Sequence, residues 1–220
     1  MSSAETPRPA IFRPDVFEVG TFEQARRITV TPEQGTTTEE RWEKETAFLL
    51  EDISRFLPIR ADSRVLDYGC GPGRVAKVLI ERFGCRVIGV DSSKAMRLLS
   101  PGYVLSEQFV TWAPEVLDLM VDRSYQVDFA ISLWVIQHVL DPKEVIQRIY
   151  NALAPGGVFY ALNAEIRCVP TDQGWVNDGF DVQAALRQTF EEQAAHRLPE
   201  AATTQQLAAH TWIQVLRKPA

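Results

Sequence analysis

Cysteine is scarce in this sequence, and the spacing of the few cysteines excludes two common kinds of stabilised small protein. Only Cys70, Cys85 and Cys168 occur among 220 residues, an odd number with no Cys-x-x-Cys pair. Neither a disulfide framework nor a cysteine-based zinc site is indicated, and a reducing compartment is the expected setting.

Long apolar runs and clusters of basic residues are also missing. No apolar segment reaches the roughly 20 residues of a membrane span, and the N-terminal residues lack the basic and apolar regions of a signal peptide. The formal net charge is −6, and lysine and arginine form no cluster that would contact nucleic-acid phosphates. These absences predict a cytoplasmic protein whose partner is a small molecule rather than a membrane or a nucleic acid.

The composition suits one full-sized hydrophobic core. Hydrophobic residues occupy 45% of the 220 positions, enough for one domain and hardly for two. We expect an N-terminal extension over residues 1–60 and one catalytic domain over residues 61–220. Residues 1–35 contain prolines without clear periodicity and are expected to be irregular. A helix is predicted from about Glu39 to Leu57, where apolar residues recur at helical spacing.

The most informative segment joins an apolar strand to a helix through a turn with glycine at every second position. Residues 65–68 (Val-Leu-Asp-Tyr) are followed by residues 69–74 (Gly-Cys-Gly-Pro-Gly-Arg). Glycines remove the side chains that would block a ligand, allow positive φ, and leave backbone N–H groups exposed at the start of the next helix. The turn therefore predicts a ligand cradle.

The residues around the turn distinguish between possible ligands. A P-loop requires Gly-Lys-Ser/Thr, and a dinucleotide fingerprint spaces its glycines as G-x-G-x-x-G, whereas the spacing here is G-x-G-x-G. Asp67 would repel a pyrophosphate but would suit a ligand with an amino group. Asp91 ends the next predicted strand, where a carboxylate can accept hydrogen bonds from both ribose hydroxyls. The alternative is a tight strand-to-helix connection, with Asp91 as an ordinary helix N-cap.

Four segments in order resemble the class I S-adenosylmethionine-dependent methyltransferases. Residues 67–73 are similar to that family's first motif, and Val-Ile-Gly-Val-Asp ending at Asp91 is similar to its second. Residues 128–142 resemble its fourth strand and following loop, and residues 153–162 the turn into its fifth strand. The resemblance implies an α/β fold with a doubly wound Rossmann-like sheet, an antiparallel C-terminal strand and an N-terminal helical lid.

The alternation of strands and helices along the chain agrees with a parallel doubly wound sheet. Strands are predicted at residues 86–91, 108–111 and 127–133, and after Gly156-Gly157. Helices are predicted at residues 75–83, after Asp141-Pro142, and at 182–188. In the tail, residues 194–198 and 211–216 are predicted to form an antiparallel pair.

The resemblance also implies a cofactor, S-adenosylmethionine, with S-adenosylhomocysteine as its product. Residues implied to bind it lie at the carboxyl ends of the predicted strands: Asp67, Gly69, Cys70 and Gly71 for the methionine portion, Asp91 for the ribose, Ser92 and Met96 for the ribose and adenine, Trp112 for the adenine edge, and Leu133 after the fourth strand. Many relatives carry an acidic residue where this chain has Thr111-Trp112, so Trp112 either stacks on the base or packs in the core.

Trp42 and His138 are candidates with two interpretations each. Trp42 begins the predicted N-terminal helix, and it either covers the methionine end of the cofactor as part of a lid or packs against the domain. His138 lies just beyond the fourth predicted strand. It is the candidate catalytic base for an acceptor hydroxyl or amine, and the alternative is that it orders its loop by hydrogen bonds.

The expected activity is transfer of a methyl group to a small-molecule acceptor by in-line displacement, without a metal. Two other classes stay open, namely a non-catalytic methyltransferase-like module that binds a partner and, less favoured, a dinucleotide-dependent oxidoreductase. The resemblance implies that O, N, C and S methylation share this core, with acceptor specificity in the variable lid and tail.

Overall fold

The computed structural model describes residues 8–33 and 35–220, which form a seven-stranded sheet, a separate two-stranded hairpin and eight α-helices. The strands are β1 Arg64–Tyr68, β2 Arg86–Val90, β3 Phe109–Trp112, β4 Val127–Leu133, β5 Leu153–Ala164, β6 Val169–Thr171, β7 Gly174–Val176, β8 Glu191–His196 and β9 Thr211–Arg217. The helices are α1 Phe22–Thr29, α2 Thr38–Phe56, α3 Arg74–Phe83, α4 Lys94–Val104, α5 Pro114–Asp122, α6 Pro142–Ala152, α7 Val182–Thr189 and α8 Gln205–Ala209, and a 3-10 helix spans Pro14–Phe17.

The sheet has the order β3-β2-β1-β4-β5-β9-β8. Strands β1 to β5 are parallel, whereas β9 is antiparallel to both of its neighbours. The strand order reverses between β1 and β4, which is where ligands bind in open α/β sheets. The predicted doubly wound sheet with an antiparallel C-terminal strand is confirmed.

Alternate residues of the central strands face two separate hydrophobic cores, which places helices on both faces of the sheet. Leu66 of β1 belongs to the core that also contains residues of α5, α6 and α7. Val65 belongs to the core that contains residues of α2, α3 and α4. The long helix α2 is thus packed along one face, and it begins with a capping box formed by Thr37 and Glu40.

The expectation that residues 1–35 are irregular is wrong within the described part of that range. Helix α1 forms there, and the Thr21 side chain accepts a hydrogen bond from the Gln24 backbone at its N-terminus. Residues 11–29, which we call the N-terminal strap, also pair with the hairpin β6–β7. Phe12 forms a β-bridge with Thr171.

The middle of the strap is fixed by an acidic side chain. The two carboxylate oxygens of Glu18 accept hydrogen bonds from the backbone N–H groups of Lys94 (3.0 Å) and Ala95 (3.2 Å), which begin α4. A carboxylate at a helix N-terminus is favourable because unpaired N–H groups and the positive end of the helix dipole lie there. The strap is therefore held at both the hairpin and α4. No helix in the described ranges is long and apolar enough to cross a membrane.

Candidate functional site

A cavity of about 430 Å³ lies at the carboxyl ends of the central strands, at the reversal of strand order. Its volume is within the range of small-molecule sites. Seven of the predicted site residues line it: Gly69, Gly71, Asp91, Ser92, Met96, Leu133 and His138. The strap covers the cavity, because Phe12, Pro14, Phe17, Ile28 and Thr29 also line it.

The glycine turn adopts the conformation that its sequence predicts. The φ angles of Gly69, Gly71 and Gly73 are 78°, 52° and 87°, in the left-handed region that favours glycine. A Cβ atom at Gly69 would lie only 2.1 Å from Cγ2 of Val135, and one at Gly71 would lie 3.3 Å from Oγ1 of Thr29. The loop after β4 and the helix α1 therefore both press closely on the turn.

The backbone donors of this turn are already used within the protein, contrary to the expectation of exposed N–H groups. Gly69 and Cys70 both donate to the Val90 carbonyl, at 2.6 and 3.1 Å, and Gly73 donates to the Cys70 carbonyl at 2.9 Å. Gly71 donates to Oδ2 of Asp91 at 2.8 Å. Since Pro72 has no N–H, residues 69–73 present no free backbone donor to a phosphate.

Asp91 joins the cradle to the next helix. Its Oδ2 accepts from Gly71, and its Oδ1 accepts from the Ser93 backbone at 2.9 Å. Burial raises the pKa of the half-buried carboxyl group, and the two backbone donors oppose that effect. Each carboxylate oxygen keeps acceptor capacity for a ligand hydroxyl, since it has more than one lone pair.

Asp67 does not line the cavity but is buried directly behind it. Burial and the negative charge of Asp91 raise the pKa of Asp67 to about 7, while Arg74 and the Ala76 backbone act in the opposite direction. The predicted repulsion of an anion thus depends on whether this buried carboxyl group is ionised.

Cys70 and Trp112 both pack against neighbouring side chains of the domain. The Cys70 side chain is buried against Gly89, where an added Cβ would lie 2.8 Å from its sulfur. The Trp112 ring packs edge-on against Tyr125, with centroids 5.4 Å apart, and borders the core. Neither residue lines the cavity, so the packing interpretation of Trp112 agrees with its surroundings.

Trp42 also lies away from the cavity, behind the strap. Its ring makes edge contacts with Phe22 and Tyr103 and is flanked by the guanidinium groups of Arg26 and Arg74, which lie 5.1 and 5.4 Å from the ring centroid. The described segment that covers the cavity is the strap rather than the start of α2. Trp42 packs against α1 through Phe22.

A buried ionic cluster connects α2 to the helix that follows the glycine turn. Glu45 is fully buried and accepts a hydrogen bond from Nε of Arg41 at 3.0 Å. The guanidinium group of Arg74, the first residue of α3, lies 3.6 Å from the second Glu45 oxygen. This cluster holds the start of α3, and with it the turn, against α2.

His138 lines the cavity with both of its ring nitrogens hydrogen-bonded. Nδ1 lies 2.7 Å from the Cys168 carbonyl, so Nδ1 carries the proton and donates it. Nε2 lies 3.0 Å from the side-chain nitrogen of Gln137, whose oxygen accepts from the Ala164 backbone. Burial lowers the pKa of His138, which favours the neutral ring. This geometry favours loop ordering over the role of a base.

Trp134 was not selected from the sequence, yet it has two unusual features at the cavity. Its φ of 62° is in the left-handed region although it is not glycine, and its buried indole N–H has no hydrogen-bond partner. Strained backbone and unpaired buried donors are concentrated at functional sites. The sequence signal for Trp134 was its position, since it is an aromatic residue directly after a predicted strand, at the edge of the sheet where ligands bind.

Charged side chains in the cavity wall are mostly acidic. Glu115, Asp141 and Glu144 join Asp91, and Arg148 is the basic residue among the described lining residues. Arg148 is paired with Asp118 through Nε and Nη2 at 2.8 and 3.0 Å. No group of three or more potential metal ligands occurs in residues 8–33 and 35–220.

Comparison with known proteins agrees with this site. A family model described as "Methyltransferase domain" matches residues 41–216. The chain belongs to this methyltransferase family. Its matched region includes the glycine turn, Asp91 and the loop after β4, so the methyltransferase domain contains the motifs that carry the class I S-adenosylmethionine-dependent resemblance.

Individual relatives match parts of the methyltransferase domain. The trans-aconitate 2-methyltransferase of Variovorax paradoxus is 33% identical over 138 residues, which is 60% of this chain and 50% of that protein. The N-demethylindolmycin N-methyltransferase of Streptomyces griseus is 36% identical over 105 residues, 45% of this chain and 43% of that protein. The chain thus spans about half the length of the curated relatives it matches.

The solved structure of an N-methyltransferase from Bradyrhizobium japonicum, in complex with S-adenosylhomocysteine, is similar in fold to this methyltransferase domain. The TM-score is 0.64 at 16% identity, with coverage of 90% of this chain and 98% of that chain. At this identity the likeness supports the fold alone.

Proposed function

We propose that this chain transfers a methyl group from S-adenosylmethionine to a small-molecule acceptor. The observation that carries this proposal is the cavity at the reversal of strand order, where the glycine turn and Asp91 meet beneath the strap. Bound S-adenosylmethionine would supply an activated sulfonium methyl group, so that the chain has to provide binding, alignment and exclusion of water.

The residues at the cavity fit this cofactor. Asp91 has acceptor capacity for the ribose hydroxyls, and Ser92 and Met96 lie next to it for the remainder of the nucleoside. The turn at Gly69 and Gly71 suits an ammonium group, because its N–H groups are engaged. The same feature disfavours a dinucleotide, whose pyrophosphate requires free donors.

We propose that the indole N–H of Trp134, which is closed off from solvent in the free protein, donates to the carboxylate of the cofactor's methionine portion once the ring turns toward the cavity. Trp134 directly follows β4, which pairs with β1, and the adjacent Val135 lies against Gly69 at the start of the turn. A buried donor without a partner is costly, so a bound anion would relieve this cost. Leu133 and the strap residue Thr29 would complete the wall around this portion.

A small acceptor is favoured over a macromolecule because the strap roofs the cavity and is held at the hairpin and at α4. Alignment of a small acceptor under such a roof excludes water, which is what an in-line displacement needs from a protein.

Methyl transfer tests this proposal directly. The purified chain is incubated with methyl-labelled S-adenosylmethionine and, separately, with the ultrafiltrate and the macromolecular fraction of a cell extract. We expect label in the small-molecule fraction, together with S-adenosylhomocysteine. Label transferred only to protein or nucleic acid would contradict the small-molecule proposal, and cofactor binding without any transfer would favour a partner-binding module.

A further inference from the structure

The acceptor end of the cavity has an aromatic rim. Phe17 of the strap, His138 of the loop after β4 and Trp175 of the hairpin form an aromatic cluster, with ring centroids 5.3 to 6.2 Å apart. Phe17 and His138 line the cavity, and Trp175 stands beside them with 53% of its surface exposed. Aromatic faces attract cations and flat apolar groups, whereas they provide nothing to neutralise an anion.

Three arginines around this rim are already paired with neighbouring carboxylates. Arg167 is paired with Asp178 at 2.8 Å and also donates to two backbone carbonyls of the loop. Arg148 is held by Asp118 and Glu144. Arg13 is paired with Asp15. A substrate with several carboxylates would therefore find these three guanidinium groups already paired.

General bases are also engaged or distant. Both His138 nitrogens are hydrogen-bonded, and the Asp141 carboxylate caps α6 through the N–H groups of Lys143 and Glu144. Glu115 follows β3, which lies three strands from β4, a separation on the order of 14 Å at the usual strand spacing. An acceptor at the aromatic cluster must bring its own lone pair rather than have a proton removed by a protein side chain.

We propose that the acceptor is an amine carried on a flat aromatic scaffold, and not a polycarboxylate. This inference rests on the methyltransferase function proposed above. The amine binds as an ammonium group and first loses one proton to water, and the resulting uncharged nitrogen forms a bond to the methyl carbon as the carbon–sulfur bond breaks. The electron pair of that broken bond stays on sulfur and neutralises the sulfonium. The nitrogen becomes a substituted ammonium, stabilised by the aromatic cluster, and then releases its proton to water if it carries one.

A matched series on one scaffold tests the class of acceptor. Tryptamine, tryptophol and indole-3-acetate share an indole ring and differ in bearing an amine, a hydroxyl and a carboxylate group. Their affinities for the chain saturated with S-adenosylhomocysteine are measured by calorimetry, with trans-aconitate as a fourth ligand. We expect tryptamine to bind at least about tenfold more tightly than indole-3-acetate, and methylated tryptamine to form when S-adenosylmethionine replaces the product.

Two variants test whether the aromatic rings cause the preference for the amine ligand. Phe17→Leu and Trp175→Leu keep apolar volume but remove a ring, so each is expected to reduce the preference for tryptamine over tryptophol severalfold. Leu119→Ala, at an exposed position of α5, is the control and should leave the preference unchanged.

Equal affinities within the series, tighter binding of either carboxylate ligand, or no binding by any member would overturn the amine inference. A chain that fails to bind S-adenosylhomocysteine in the preceding titration would instead contradict the proposed function.

Discussion

The indole N–H of Trp134 allows the cofactor assignment to be tested by removing a single donor. Trp134→Phe keeps an aromatic ring but deletes the N–H group, which is buried and unpaired in the free protein. A hydrogen bond to a charged group contributes about 1.5 to 3 kcal/mol, so losing it should weaken binding about 10- to 150-fold. The free variant should lose only the packing of the larger indole ring and no hydrogen bond, because the deleted donor had no partner.

Calorimetry with two ligands locates the effect. S-adenosylhomocysteine carries the amino-acid carboxylate, whereas 5′-methylthioadenosine retains the nucleoside and sulfur without it. Trp134→Phe is expected to weaken binding of the first ligand and to leave the second unchanged. Unchanged affinity for S-adenosylhomocysteine would refute the assignment, and an equal loss for both ligands would show a general distortion of the site instead.

Trp212→Phe is the matched control. The indole N–H of Trp212 donates to the Ala164 carbonyl at 3.0 Å within the sheet. Its removal should lower stability by roughly 1 to 3 kcal/mol, because a partly buried carbonyl loses its donor, without changing the affinity for either ligand. The two tryptophans thus predict opposite results in binding.

Three further predictions concern the support of the glycine turn. Glu45→Ala should lower the free energy of unfolding in urea by about 3 to 5 kcal/mol, because Arg74 and a second arginine would be left buried and unpaired, and stability equal to the original chain would contradict this. The folded-state pKa of Asp67 is about 7 and exceeds its ordinary 3.8, so its contribution to the free energy of unfolding should fall by up to about 4 kcal/mol as pH rises from about 4 to 7. Asp67→Asn should flatten this part of the curve of stability against pH. A curve identical to that of the original chain would exclude a raised pKa at Asp67. Gly69→Ala should lower the free energy of unfolding by about 1 to 3 kcal/mol, because the added Cβ would clash with Val135. Adding Val135→Ala should restore part of that loss in thermal unfolding. No recovery in the double variant would show that the strain has another origin.

The central strands and the cradle were predictable because their physical signals are local. β4 is mainly apolar since it is covered on both faces, and the glycine turn needs positive φ at three alternate positions. Asp141 and Pro142 likewise predict the start of α6, and Asp141 accepts from two backbone N–H groups there. Signals of this kind are contained in a few consecutive residues.

The elements that the sequence did not predict correctly depend on distant contacts. β8 begins at Glu191 rather than at 194, because an edge strand with polar residues on both faces has no hydrophobic alternation. The hairpin β6–β7 is only three residues per strand and contains Pro170, so its pairing with the strap could not be read locally. The surroundings of Trp42 likewise depend on α1 and α4.

Among the candidate site residues, the sequence indicated the edge of the sheet but not the direction of each side chain. Asp91 and Gly71 could be placed because the strand end and the turn fix them. The hydrogen bonds that occupy both nitrogens of His138 come from the adjacent Gln137 and from Cys168, thirty residues later, and no local pattern predicts them. The unpaired donor of Trp134 is likewise a property of packing.

The most direct test of the central claim is a calorimetric titration of the chain with S-adenosylhomocysteine and with NAD. We predict one-to-one binding of S-adenosylhomocysteine and none of NAD. Affinity should fall at least about tenfold in Asp91→Ala, which loses two charge-assisted acceptor positions, but not in Asp181→Ala, which removes a similar helix cap at α7. Binding of NAD without S-adenosylhomocysteine, or unchanged affinity in a folded Asp91→Ala variant, would contradict the account.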